Sequence, residues 1–187
     1  MKDMKEKYCA FLRGINVNGV NIKMDALKEA FVGMGFPDAQ TILATGNVIF
    51  TPAEGNPSGQ EAKAYIEKEL GRNFSYDAHV ILRSRAEVRD VLNSAEAVDV
   101  PEECHLYYLL CDDAQVLPEL EQLFGSVPHA PDEKLIPLRS GAFWIVPKGS
   151  TLSSDFGSKV LGNKKYKNRL TSRNINTIQK VYKTMAG

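Results

Sequence analysis

Between Tyr8 and Arg13 the chain runs Tyr-Cys-Ala-Phe-Leu-Arg, with apolar side chains on both parities. Successive side chains of a strand point to opposite faces. Cys9 and Phe11 therefore share one face, and Ala10 and Leu12 the other. A strand apolar on both faces is covered on both faces. The same pattern recurs at residues 106–110 and 143–146. A single sheet with helices on one side does not meet that demand. The second half of the chain, or another subunit, has to cover the remaining face.

The order of elements around the first strand narrows the fold. Met24, Leu27, Phe31 and Met34 recur at helical spacing, and Gly35 stops that helix. Strands follow at 40–44 and 48–51, joined by the tight turn Thr45-Gly46-Asn47. Ser58-Gly59-Gln60-Glu61 reads as a capping box for a helix to about Leu70, and residues 79–82 form the next strand. This β-α-β-β-α-β order is the split β-α-β, or ferredoxin-like, pattern. It predicts the strand order 4-1-3-2. Phe11, Leu27, Phe31, Phe50, Ile66 and Leu82 are the expected core.

A second capping box, Ser84-Arg85-Ala86-Glu87, opens the second half. There a strand at 106–110 precedes a helix capped by the Asp112-Asp113 segment. Strands at 134–138 and 143–146 follow, and Pro137 marks the first of them as an edge. A short helix at 153–160, a basic loop and a final helix complete the chain. The sequence shows no fourth strand in this half; a helix takes its place. The reading is α+β: two ferredoxin-like (split β-α-β) halves, antiparallel sheets with helices. Residues 1–84 form one domain, and residues 85–187 a second, ferredoxin-like domain with an extra C-terminal helix.

Charge enters through its placement. The chain has 23 Lys and Arg against 23 Asp and Glu, so no net field attracts a polyanion. After Asp155 there is no acid, however, whereas residues 87–133 carry Arg89 as their one Lys or Arg. Two such regions attract each other, or the basic one binds an external anion. The N-terminal residues lack the apolar core of a signal peptide, and no apolar run approaches the ~20 residues of a membrane span. Cys9, Cys104 and Cys111 are odd in number and widely spaced, as expected of reduced thiols in a cytoplasmic protein.

Three polar segments hold the candidate site. In the split β-α-β order, the end of the first strand and the turn after the second lie at one sheet end. That end should gather Arg13, Asn16, Thr45 and Asn47, with Tyr76, Asp77 and His79 near. Arg173 and Asn174 are added on their own chemistry: Thr171 or Ser172 can cap the last helix, and cations beside a helix start want a negative partner. Lys164, Lys165, Lys167 and Arg169 in the basic loop would extend the surface toward nucleic-acid phosphate. The spacing Gly14-x-x-x-x-Gly19 matches a phosphate loop, but Val20-Asn21 replaces the Lys and Ser/Thr it requires, which excludes that type of nucleotide hydrolysis. No Cys/His spacing forms a zinc site, and no cofactor is assigned. The aromatics Tyr107, Tyr108, Phe143 and Trp144 only partly match an RNA-recognition sheet and read better as core.

The run Phe11-Leu12-Arg13-Gly14-Ile15-Asn16-Val17 resembles the domain-of-unknown-function family numbered 1697. So do the helix from Met24 to Gly35-Phe36, the segment Thr45-Gly46-Asn47-Val48-Ile49-Phe50, and the late Thr171-Ser172-Arg173-Asn174 with Thr177. The family usually has Ser-Gly-Asn where this chain has Thr45-Gly46-Asn47, and often Trp where it has Ile175. The resemblance implies two ferredoxin-like domains and no settled activity. Three functions stay open: a binding module for an anionic ligand such as nucleic acid, an enzyme with its active site at the first-strand edge, and a protein–protein module, including a homo-oligomer.

Overall fold

The computed structural model describes residues 6–16 and 19–187; the segment before Glu6 and Asn18 of the Asn18-Gly19 turn lie outside the described residues. The chain divides into two compact units, Met1–Asn93 with Thr177–Gly187, and Ser94–Asn176. Among the described residues, no helix is long and apolar enough to cross a membrane.

The first unit contains β1 (Tyr8–Arg13), α1 (Met24–Gly33), β2 (Gln40–Ile42), β3 (Asn47–Phe50), α2 (Gly59–Phe74) and β4 (His79–Ser84), followed by α3 (Arg85–Glu96), which crosses the boundary. The strands form one antiparallel sheet in the order β2-β3-β1-β4, as the element order predicts. Tyr8 faces Phe50 on one side and Ser84 on the other, which fixes the register of the two central ladders. Ala10, Leu12, Val48, Phe50 and Val80 pack against Leu27, Phe31, Ile66 and Leu70 of the helices. Phe11 is buried too, whereas Leu82 is half-buried beside the core rather than enclosed. Cys9, Phe11, Ile49 and Ile81 occupy the alternate parity and are also buried, so the single chain covers both sheet faces.

The helix ends follow local chemistry. Gly35 and Phe36 close α1 by donating to Val32 and Phe31 carbonyls at 3.0 and 3.1 Å, with the Phe36 ring against Phe31. Ser84 and Glu87 form the expected reciprocal box: the Ser84 N–H donates to Glu87 at 2.8 Å, and the Glu87 N–H to Ser84 Oγ at 3.3 Å. Ser58 does start α2, but its side chain makes no capping bond. Gly71 does not stop that helix either. It continues to Phe74 and ends on Ser75 in the left-handed region, because a single Gly inside a helix costs only about 1 kcal/mol.

The second unit contains β5 (Cys104–Cys111), α4 (Val116–Ser126), β6 (Lys134–Leu138), β7 (Gly141–Pro147), α5 (Asp155–Leu161), a 3₁₀ turn (Lys164–Tyr166) and β8 (Leu170–Asn174). Its sheet has the order β6-β7-β5-β8, so Pro137 does lie on an edge strand. β8 corrects the expectation that this half lacks a fourth strand. Thr171-Ser172-Arg173-Asn174 is strand, paired with β5 through Tyr108↔Arg173 and Leu110↔Thr171. Its polar composition disguises it, and only Leu170 carries an apolar signal. The last helix, α6 (Ile175–Ala186), is capped by Asn174, whose Oδ1 accepts the Asn176 N–H at 2.9 Å, not by Thr171 or Ser172. Tyr108, Phe143 and Trp144 are buried, so the RNA-recognition pattern has no exposed stacking rings there.

Candidate functional site

The end of β1 is built from three connections. Leu12 donates its N–H to the Gly46 carbonyl at 2.8 Å, docking the β2–β3 turn on β1. Asn16 bridges the β1–α1 loop to that turn: its amide donates to the Ala44 carbonyl at 2.6 Å, while its Oδ1 accepts the Ile22 N–H at 3.0 Å. Asn47 is fully buried and donates to the Ile42 carbonyl and to Thr45 Oγ1, both at 2.8 Å. Gly46 has φ +76, and Ile15 fills the space a Cβ would need, at 2.5 Å. Arg13, Asn16, Thr45 and Asn47 thus meet at one sheet end. Asn16 and Asn47 spend their amides on the protein itself.

Arg13 stands opposite His79, the first residue of β4. Its guanidinium is half-buried, and burial lowers its pKa, as expected of a cation with reduced hydration. His79 Nε2 lies 3.0 Å from Asp77 Oδ2 and Nδ1 4.0 Å from Glu67 Oε1. The first contact is close enough for an ion pair but lacks hydrogen-bond alignment. The Tyr76 hydroxyl is buried without a hydrogen-bond partner, and burial, reinforced by Glu67, pushes its pKa up to about 12.

The backbone at this end is also unusual. Among the described residues, the non-glycine residues with left-handed φ are Asn16, Leu43 and Ser75, at 56°, 58° and 52°. They lie in the β1–α1, β2–β3 and α2–β4 connections, all of which meet this end. Left-handed backbone without glycine costs energy of order 1 kcal/mol or more and persists where the surroundings enforce it. Nothing in the sequence marks Leu43 or Ser75 for this; neither is Gly or Asn, the usual signals.

The remaining expected residues lie in the second unit. Arg173 is buried in β8 and donates to Thr171 Oγ1 and the Ser172 carbonyl, both at 2.8 Å. It is a strand residue, not a cation at the first turn of a helix. Asn174 serves the α6 cap. In the basic loop, Lys165 Nζ lies 2.7 Å from Glu119. The Arg169 guanidinium spans Glu119 at 3.1 Å and Asp113 at 3.2 Å. Hydrogen bonds from Arg169 and Lys165 hold the Asp113 and Glu119 carboxyls below their usual range. The acidic stretch of the chain is therefore the partner of these two cations. Lys164 and Lys167 remain exposed.

The architecture is that of an α+β protein with two ferredoxin-like halves and a polar, tightly turned end on its first sheet. The chain belongs to the family of proteins of unknown function DUF1697, whose model matches residues 4–135. The match includes β1 and the β2–β3 turn and stops before β8. A similar solved structure is that of the conserved bacterial protein SP0830 from Streptococcus pneumoniae, with a TM-score of 0.75 and 19% identity over 96% of this chain and 98% of that one. At that identity the likeness speaks to fold. No curated protein matches the chain.

Proposed function

We propose that the protein is a binding module that holds a small anionic ligand at the end of the first sheet. The convergence of three left-handed, non-glycine connections on Arg13 carries this reading. Strained backbone clusters where a structure must present groups in a set geometry. A half-buried guanidinium gains most from an anion, because its hydration is already reduced. The Tyr76 hydroxyl, buried without a partner at the same end, is a donor that a ligand could satisfy.

A small anion suits the site better than a nucleic acid. Of the loop cations that would follow a phosphate backbone, Lys165 and Arg169 are ion-paired within the second unit. A reducing, cytoplasmic location belongs to this reading, supported by the buried, unpaired Cys9, Cys104 and Cys111.

The test is a thermal-shift screen with inorganic phosphate, sulfate and phosphorylated metabolites, alongside titrations with single- and double-stranded DNA and RNA at two salt concentrations. A phosphorylated compound should raise the melting temperature of the wild type, and Arg13→Ala should abolish the rise while staying folded. A response that survives Arg13→Ala removes the site from this sheet end. Tight, salt-dependent nucleic-acid binding with no response to small anions would replace the ligand class.

A further inference from the structure

Outside that sheet end, the second unit holds a groove between the end of α4, the segment leading into β6, and the loop before α5. Its wider part encloses about 530 Å³ beside Phe124, Pro131 and Leu135, and its narrower part about 250 Å³ beside Ser150, Ser153 and Asp155. Both parts are lined by His129, Ala130 and Glu133, so one groove runs past a single acid.

Glu133 is only 3% exposed. The Trp144 indole N–H donates to its Oε1 at 3.0 Å, and the Ala130 N–H donates to its Oε2 at 3.4 Å. Among the described residues, no Lys, Arg or His forms an ion pair with it, although Lys134 follows it in sequence. Buried carboxylates are normally paired with a cation, because two neutral donors leave much of the desolvation cost unmet. A carboxylate also offers about four acceptor positions, of which two are taken here. The Phe124 and His129 rings stack at 4.4 Å centroid separation along the groove, giving it an aromatic wall. Cations dock favourably over such faces.

We propose that this groove binds a small organic cation, a primary ammonium or guanidinium group, with Glu133 as its counter-ion and the Phe124–His129 pair beside it. The guanidinium plane matches a carboxylate in two-point contact. The hydroxyls of Ser150 and Ser153 line the narrower part, where a polar remainder of the ligand would lie. The site shares no residue with the sheet end of the first unit, so the two readings stand or fall separately.

Trp144 is the single tryptophan of the chain, and its N–H is bonded to the proposed counter-ion, which makes it a built-in reporter. The experiment titrates the full chain with agmatine and putrescine, using sodium chloride at matched ionic strength and succinate as controls. Trp144 fluorescence and the lone indole N–H resonance in a ¹H–¹⁵N spectrum are followed together. A saturable change in both with the organic cations, absent with the controls, is the expected result. Glu133→Gln keeps an acceptor for the indole and removes the charge; it should weaken binding roughly tenfold or more. An indole resonance that does not move in the wild type overturns the proposal. So does a folded Glu133→Gln variant that binds as tightly as the wild type.

Discussion

At the end of β1, Leu12 donates its N–H to Gly46; at the matching end of β5, Cys111 donates to Ser140 at 3.3 Å. The registers make the two ends superposable residue by residue. Tyr8 pairs with Ser84 as Tyr107 pairs with Asn174, and Leu12 with Val80 as Cys111 with Leu170. Arg13 then corresponds to Asp112, and His79 to Arg169. The penultimate residues of the fourth strands correspond as well: Arg83 donates to the Leu82 carbonyl at 2.9 Å, and Arg173 to the Ser172 carbonyl at 2.8 Å. The two halves share a skeleton and differ in what closes its end. In the second unit, Asp113 and Glu119 bind Arg169 and Lys165, and the protein satisfies its own charges. In the first, the corresponding position holds a half-buried arginine among connections held in left-handed backbone. A repeated fold thus separates structural charge from charge available for recognition.

The turns of the two sheets differ in the same way, and that difference can be broken by mutation. Asn47 stitches the first turn with its own side chain. Its counterpart is Gly141, where the Tyr108 ring crosses instead and its hydroxyl meets Ser140 Oγ at 2.8 Å. A Cβ at Gly141 would lie 2.0 Å from the Leu109 carbonyl oxygen, a backbone atom that cannot move without breaking the β5–β7 ladder. Gly141→Ala should therefore cost more than about 4 kcal/mol, at the exceptional end of point mutations. A Cβ at Gly46 would meet the tip of Ile15, a side chain that can turn away. Gly46→Ala should cost about 1–3 kcal/mol from overpacking and left-handed backbone. Denaturant melts of the two variants decide the matter. Equal losses would show that the two turns are under the same constraint.

The first sheet was legible because each of its strands carries apolar residues at period two and each connection carries a turn or cap signal. Tyr8–Arg13 and Asn47–Phe50 are the clearest cases, and their pairing follows from the order alone. Even there, local rules erred where tertiary packing outweighed them, as when α2 ran through Gly71. β8 was illegible for a different reason. It pairs on one side only and spends Thr171 and Arg173 on each other, so its polar residues look like a loop. The convergence of Arg13, Asn16, Thr45 and Asn47 followed from topology. The left-handed Leu43 and Ser75 did not, because tertiary contacts and not residue type set those angles. Glu133 was hidden among Asp132 and Lys134, a run that reads as solvated charge until Trp144 is placed over it.

The smallest expected effect tests the sealed end directly, through acid. Asp113 and Glu119 ionise more readily in the folded protein than in the unfolded chain, chiefly through hydrogen bonds from Arg169 and Lys165 respectively. The folded state therefore binds fewer protons in acid than the unfolded state does. The stability they contribute is complete above their unfolded pKa values. It begins to drain as the pH falls below about 4.5, the ordinary Glu119 value, with Asp113 following below about 3.8. Arg169→Gln removes the principal cause for Asp113 and one of two partners for Glu119. The variant should be slightly less stable than the wild type at pH 7, since exposed pairs contribute little. The difference should shrink through the acid window and vanish once both carboxyls are protonated in both states. Arg13→Ala should show no such convergence, because burial lowers the Arg13 pKa and its titration lies far from acid. Urea midpoints measured from pH 7 down to pH 3 distinguish the two. A gap between Arg169→Gln and the wild type that stays constant with pH would mean that the ion pairs are not what closes the second sheet's end.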